Sequence, residues 1–115
     1  MPLPELNSIL AQKVEVAPGL CIIRVVPDGW ELPEFVPGQY TVIGLPATAP
    51  RYMYSEPEPT PPREDKLVRR AYSIASSSKE KQYVEFFVRL VTSGSLTPRI
   101  FAMNIGDKLR MSPKT

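Results

Sequence analysis

The stretch Arg70-Ala71-Tyr72-Ser73-Ile74-Ala75-Ser76 is the most informative part of this 115-residue chain. In an extended strand, side chains two positions apart share a face, so Arg70, Tyr72, Ile74 and Ser76 point one way and the residues between them the other. A guanidinium can bind a phosphate through two parallel hydrogen bonds, and an aromatic ring two residues further on can stack on a flat heterocycle. The spacing therefore predicts a site for a dinucleotide-like cofactor. An ordinary barrel strand with a surface arginine and a packed tyrosine is the alternative, and the spacing alone does not separate the two.

The bulk composition is that of one ordinary globular domain. Hydrophobic residues make up 43% of the chain, charged residues 23%, and the net charge is +2. This balance does not call for nucleic acid or an anionic membrane as a partner. No apolar run is long enough to span a bilayer, and the N-terminus lacks the features of a signal peptide. Cys21 is the only cysteine, so no intrachain disulfide can form and we expect a cytoplasmic location.

Missing residue types narrow the chemistry further. The chain has no histidine, which excludes Ser-His-Asp and Cys-His catalysis and the usual zinc sites. Its six glycines are scattered singly and form neither a G-x-G-x-x-G motif nor a P-loop. Any redox or group-transfer chemistry would therefore depend on a bound cofactor.

Short strands separated by turns account for most of the chain. Alternating and β-branched runs predict strands at 13–16, 20–26, 41–45, 67–76, 82–91 and 108–111. One helix is predicted from Leu96 to Met103, with Ser93 or Ser95 as its cap and Pro98 in its first turn. Cys21 shares a face with Ile23 and Val25 and is predicted to lie in the core. The pattern predicts an all-β fold, a six-stranded antiparallel Greek-key barrel with one short capping helix.

Two features stand apart from the plain strand pattern. Residues 46–66 contain six of the 14 prolines, together with Tyr52 and Tyr54. Since proline donates no backbone hydrogen bond, this stretch predicts a long surface loop, either a tolerated insertion or a flap over a ligand or partner. Within the strand 82–91, Phe87 falls on the mainly polar face, where its ring is either exposed by chance or placed for a ligand.

The segment Ser93-Gly94-Ser95-Leu96-Thr97 is the second candidate for a phosphate site. A glycine followed by hydroxyl residues at a helix start exposes backbone N–H groups, and the helix dipole favours an anion there. Most helices begin with Ser or Thr simply for capping, so this segment alone predicts little. Together with Arg70 it predicts a two-sided clamp for a diphosphate.

In combination, these motifs resemble the ferredoxin–NADP(+) reductase family in its bacterial form. The opening heptapeptide is similar to the family's flavin-binding pattern Arg-x-Tyr-Ser-x-x-Ser. Further pieces agree in order: Pro37-Gly38-Gln39-Tyr40, Glu85-Phe86-Phe87, the run from Gly94 to Arg99, and Gly106-Asp107. The resemblance covers most of the chain from residue 10 onward and implies an FAD-binding barrel.

The resemblance implies a role for each matching residue. Arg70 would bind the FAD diphosphate, while Tyr72 and Ser73 would be the catalytic pair, with Tyr72 stacked on the isoalloxazine and Ser73 hydrogen-bonded near flavin N5. The remaining expected cofactor contacts are Ala71 through its backbone, Phe87, Val88, Gly94, Ser95, Leu96 and Thr97.

The resemblance also implies a second domain that is missing here. In the family a parallel α/β domain binds NADP(H), and this sequence stops at Ser112-Pro113-Lys114-Thr115, where that domain would begin. We therefore expect residues 1–115 to be the FAD-binding domain of a reductase that connects NADP(H) with ferredoxin or flavodoxin, and to be inactive with NADPH alone. The expected docking surface for an acidic ferredoxin, or else a merely solvated face, consists of Arg24, Arg63, Lys66, Arg69 and Arg99.

Two other functions stay open at this point. The chain is alternatively the FAD-binding barrel of another flavin reductase, of the oxygenase reductase or nitrate reductase type, or a cofactor-free β-barrel interaction module. An oligonucleotide-binding barrel is disfavoured because few exposed aromatics lie between basic residues.

Overall fold

A computed structural model describes residues 6–36, 38–77 and 79–113. Its elements in chain order are β1 (Ser8–Ala17), β2 (Leu20–Pro27), β3 (Tyr40–Pro46), β4 (Leu67–Ser73), β5 (Val84–Arg89), α1 (Leu96–Phe101) and β6 (Lys108–Pro113). The strands form one antiparallel sheet in the order β4-β3-β6-β1-β2-β5. The predicted all-β class with one short helix is confirmed, although the sheet is not closed and β4 and β5 are its edges.

The strand bounds differ from the predicted ones mainly at β1 and β4. β1 begins five residues before the predicted Lys13, and register shifts after Leu10 and after Glu15 let it bend while it stays paired with β2. Gly19, with a φ of 73°, makes the tight turn between the two strands. Of the predicted turn before β3, Pro37 lies outside the described residues, as does Ser78 in the connection before β5.

The inward faces of the strands and one side of α1 fill the core. Cys21, Ile23 and Val25 alternate inward along β2 and are at most 1% exposed, which confirms the core position predicted for Cys21. Ile100 of α1 is fully buried among the strands. No helix in the described part of the chain is both long and apolar enough to cross a membrane.

The helix α1 ends two residues before the predicted Met103. The ammonium group of Lys13 donates to the carbonyl oxygens of Phe101 (2.8 Å) and Met103 (2.6 Å), and thereby satisfies acceptors at the helix end. Ser95 is the N-cap residue, but its hydroxyl does not cap the helix backbone as predicted. Its partner is a carboxylate from the proline-rich segment, described below.

The edge strands β4 and β5 meet at one end only, and we call this junction the β4–β5 seam. The predicted strand 67–76 stops at Ser73, after which the chain leaves β3 and crosses to β5. There Ala75 N–H donates to the Glu85 carbonyl (2.8 Å), and Glu85 N–H donates to the Ser76 hydroxyl (3.0 Å). The heptapeptide thus lies along an open edge and at the seam.

Candidate functional site

Arg70 and Tyr72 lie on the same face of β4, as the sequence pattern predicts. In the register with β3, Arg70 is opposite Ile43 and Tyr72 is opposite Thr41, and both partners are buried. Directly opposed residues of an antiparallel pair share a face, so both side chains lie on the core side of the edge strand. Ala71 and Ser73 lie on the other side.

Arg70 is exposed even though its face is the inner one. Val68, two residues earlier on the same face, is only 5% exposed. Arg70 lies on an edge strand, and its Nη1 donates to the neighbouring Arg69 carbonyl (2.6 Å). Among the residues that the structure describes, no carboxylate lies within ion-pair distance of it. Its charge is therefore available to an anionic ligand.

Tyr72 is held at the seam by packing. Its ring stands edge-on to Phe86, with 6.3 Å between the ring centroids and 67° between the planes. Burial raises the pKa of the Tyr72 hydroxyl above its usual value, while the nearby Arg70 charge acts in the opposite direction. The ring is therefore neutral at physiological pH and has a fixed position beside Arg70.

Ser73 ends β4 on the outer face, opposite Tyr40, and both residues are exposed. Beside them an apolar cleft opens between the end of β4 and the loop before β3, lined in part by Leu32, Phe35, Tyr40 and Ile74. The sequence pattern does not indicate this cleft, because it forms between a loop and a strand end that are far apart in the chain.

Phe87 and Val88 occupy opposite faces of β5. Phe87 is 56% exposed, so the aromatic ring predicted on the polar face does lie at the surface. The Val88 side chain is fully buried in the core. Val88 therefore has only backbone groups to offer a surface ligand, whereas Phe87 can offer its ring.

The glycine turn before α1 is tightly built. Gly94 N–H donates to the Val91 carbonyl (2.8 Å), and a Cβ atom at Gly94 would lie 3.1 Å from that same oxygen. The Thr97 hydroxyl accepts from Val91 N–H (2.9 Å) and donates back to its carbonyl (3.2 Å). Leu96 is 1% exposed and belongs to the core. The turn is closed by its own contacts, and a larger residue at Gly94 would have to displace Val91 by a few tenths of an ångström.

The hydroxyls of Ser95 and Thr97 are already used within the protein. The Ser95 hydroxyl donates to the Glu58 carboxylate (2.8 Å), and the Thr97 hydroxyl is bonded to Val91. Since Pro98 has no N–H, the first turn of α1 has only the backbone N–H groups of Leu96 and Thr97, which have no partner within the helix. That Ser95, Leu96 and Thr97 bind a diphosphate through their backbone stays a prediction.

Hydrogen bonds and an ion pair connect the proline-rich residues 46–66 to α1 and the turn before it. Arg51 Nη1 donates to the Gly94 carbonyl (2.9 Å), and Tyr52 N–H donates to the Pro98 carbonyl (2.9 Å). Glu58 is bound by Arg99, whose two terminal nitrogens lie 2.9 and 3.1 Å from its carboxylate oxygens. The sequence predicted a surface loop here but missed these contacts, because the partners are about forty residues apart.

The predicted basic docking surface is wrong for Arg99, one of its five members. Arg99 is 3% exposed and paired with Glu58. Arg24 pairs with Glu85 at 2.9 Å and covers the ring of Tyr83, and Arg63 pairs with Asp65 at 2.7 Å. Of these five, only Lys66 and Arg69 are exposed cations without a carboxylate partner among the described residues.

Several solved structures share this fold. The cytochrome b5 reductase domain of Ulva prolifera nitrate reductase has a TM-score of 0.67 at 14% identity, over 97% of this chain and 43% of that one. A ferredoxin NADP+ reductase from Neisseria gonorrhoeae, with bound FAD and NADP, has a TM-score of 0.67 at 16% identity, over 94% of this chain and 36% of that one. Phthalate dioxygenase reductase has a TM-score of 0.63 at 19% identity, over 93% of this chain and 28% of that one. At these identities the likeness is one of fold, and this chain spans less than half the length of each.

A comparison of sequence families gives the more specific result. No protein of curated function matches the chain. The model of the oxidoreductase FAD-binding domain matches residues 35–114, which include the heptapeptide, the β4–β5 seam and the glycine turn. The chain therefore belongs to the oxidoreductase FAD-binding domain family, and FAD is its cofactor.

Proposed function

We propose that this chain is the FAD-binding domain of a cytoplasmic reductase that passes electrons between NADP(H) and a ferredoxin or flavodoxin. The observation that carries the proposal is the placement of Arg70 and Tyr72 on one face of the open edge strand β4. A guanidinium that has no carboxylate partner in the described part of the chain and an aromatic ring packed against Phe86 lie two residues apart on that face. Family membership and the motifs that resemble the ferredoxin–NADP(+) reductase family support the same function.

The residues present fit FAD. Arg70 has no carboxylate partner among the described residues and would bind the diphosphate. Tyr72 would orient the flavin ring and shield one face from water, and Ser73 would hold a hydrogen bond near the reacting edge. When bound, FAD supplies the redox chemistry, exchanging two electrons with a nicotinamide and single electrons with a carrier protein.

The proposal places the binding of NADP(H) outside this chain. The Neisseria gonorrhoeae reductase binds both FAD and NADP, and this chain matches only 36% of its length. We therefore expect the 115-residue chain to bind FAD but not to oxidise NADPH by itself.

Replacing Arg70 with alanine tests the proposed diphosphate contact. A charge-assisted hydrogen bond contributes about 1.5–3 kcal/mol, so Arg70→Ala is expected to weaken FAD binding by about 10- to 100-fold. Binding is measured by the change in flavin fluorescence as the chain is titrated into FAD. Arg69→Ala is the matched control, because Arg69 is an exposed arginine on the opposite face of the same strand. Equal weakening by both changes would mean that only general surface charge attracts the ligand.

A further inference from the structure

We propose that a cavity beside the end of α1 is a second binding site, which takes a small monocarboxylate with an apolar body. The cavity has a volume of about 250 Å³ and lies between the end of β3, the start of β6, the proline-rich segment and the last turn of α1. None of the described residues that line it belongs to the heptapeptide or to the glycine turn. The inference therefore does not depend on the proposed FAD site.

The guanidinium of Arg99 has one hydrogen-bond donor that no described residue accepts. Arg99 Nη1 donates to the Glu58 carboxylate (3.1 Å) and to the Ser95 carbonyl (2.8 Å). Its Nη2 donates to the other carboxylate oxygen of Glu58 (2.9 Å) and to the Ala47 carbonyl (2.8 Å). These four bonds use every N–H of the two terminal nitrogens. The fifth donor, Nε–H, is buried and has no partner in the described part of the chain.

An unmatched donor at this depth is unusual. The Arg99 side chain is only 4% exposed, and a buried donor that loses water without gaining another acceptor destabilises the fold. Arg99 is also part of the cavity wall, and Nε–H is the donor that its other contacts leave over. The acceptor that completes the guanidinium therefore comes from a molecule in the cavity.

The charges around Arg99 favour an anionic acceptor over a neutral one. Arg99 and Arg51 share one carboxylate, that of Glu58, which lies 2.9 Å from Arg99 Nη2 and 3.5 Å from Arg51 Nη1. Among the described residues, no other carboxylate is within ion-pair distance of either arginine. The three side chains carry a net charge of +1 and are each 17% exposed or less. One further negative charge balances them, in surroundings that strengthen the attraction.

The rest of the cavity has an apolar floor and a polar rim. Leu45 and Met103 are buried and lie at the floor with Arg99. The exposed residues Asp107 and Lys108 lie at the rim, where their opposite charges add nothing to the net charge. An apolar cavity of roughly 150 Å³ is already large enough for benzene. A monocarboxylate of the size of benzoate therefore suits the volume, the apolar floor and the unmatched donor together.

The experiment titrates the isotope-labelled 115-residue chain with benzoate and follows its NMR spectrum. The Nε–H signal of Arg99 is assigned by through-bond correlations, so no substitution at Arg99 is needed. We expect this signal to shift in a saturable way with a Kd of about 1 mM. Acetate, which lacks the apolar body, and benzyl alcohol, which lacks the charge, should each bind at least about tenfold more weakly.

A larger side chain inside the cavity gives a matched test. Ala102 lines the cavity, and the side chain of an Ala102→Leu variant would occupy part of its volume without removing a hydrogen bond of Arg99. We expect this substitution to weaken benzoate binding at least about tenfold. The control is Ala17→Leu, at an exposed strand end outside the cavity, which should leave benzoate binding unchanged.

Any of the following results would overturn the proposal. One is an Arg99 Nε–H signal that stays in place up to about 20 mM benzoate, twenty times the expected Kd. Another is equal affinity for acetate and benzoate, or equal affinity of the wild-type and Ala102→Leu chains for benzoate. A loss of benzoate binding in Arg70→Ala but not in Ala102→Leu would place the anion at the proposed flavin site instead.

Melting temperatures show whether each variant is folded. If Ala102→Leu does not fold, Ala49→Leu takes its place, because Ala49 lines the same cavity from the proline-rich segment. If neither variant folds, the titration of the wild-type chain decides by the Arg99 signal alone.

Discussion

Arg69 and Arg70 are neighbours in the sequence with different surroundings in the fold. Arg69 is opposite Gly44, and its stem lies 3.0 Å from where a Cβ atom of that glycine would stand. Arg70, on the other face, extends from the open edge beside Tyr72. The alternation of a strand predicted this difference from the sequence, since it depends only on the spacing of the side chains.

The alternation of a strand predicts the exposure of some residues of the candidate site, but not the hydrogen-bond partners of others. The exposed ring of Phe87 follows from the same alternation, and so does the burial of Val88. The hydroxyls of Ser95 and Thr97 are different, because their partners, Glu58 and Val91, are set by how a loop and a turn fold back. Local spacing contains no information about those partners.

Cys21 allows a prediction at the residue scale. It is 1% exposed, and burial raises the pKa of its thiol to about 11. Because the thiolate is the reactive form, we expect the native chain to react with a thiol reagent at pH 8 at least about a hundredfold more slowly than the chain in denaturant. The measurement is the rate of labelling with and without urea. Rapid labelling of the folded chain would place Cys21 at the surface.

At the scale of elements, the proline-rich insertion is the segment whose structure differs most from what its sequence pattern predicts. Its prolines and charges correctly predict a segment without regular structure. They do not indicate that Arg51 and Glu58 are mostly buried, because each is buried through partners about forty residues away. For the same reason Arg99 was wrongly predicted to lie on a docking surface. A charged residue is assigned to the surface unless its partner is known.

The ion pair between Glu58 and Arg99 predicts a pH dependence of stability. The pKa of Glu58 is lowered in the folded chain, chiefly by its hydrogen bonds from Arg99. Its contribution is therefore fully present above the unfolded value of about 4.3 and is lost as the pH falls through the lower, folded pKa. We expect the free energy of unfolding of the wild-type chain to exceed that of Glu58→Gln at pH 6, with the gap narrowing below pH 4.

Urea denaturation of both proteins between pH 3 and pH 7 measures this gap. A gap that is constant over the whole range would contradict the ion pair. A gap that widens toward acid pH would mean that the pKa of Glu58 is raised in the folded chain.

At the scale of the whole molecule, the six strands were predictable from the sequence, whereas their order in the sheet and the open seam were not. In half-buried strands apolar and polar residues alternate, so the sequence pattern of a run such as 82–91 is enough to predict a strand. The ends of β4 and β5 are set instead by the crossing at Ala75 and Glu85, a contact between distant residues. Membership of the FAD-binding domain family favours a flavin barrel over a cofactor-free interaction module.

The central claim is that this chain binds FAD along the open edge of β4. The most direct measurement is a titration of FAD with the wild-type chain, followed by flavin absorbance and fluorescence. We expect saturable binding of about one FAD per chain, a shifted flavin spectrum, and weaker binding by the Arg70→Ala chain than by the Arg69→Ala chain. A folded wild-type chain that leaves the spectrum and fluorescence of FAD unchanged at saturating protein would contradict it.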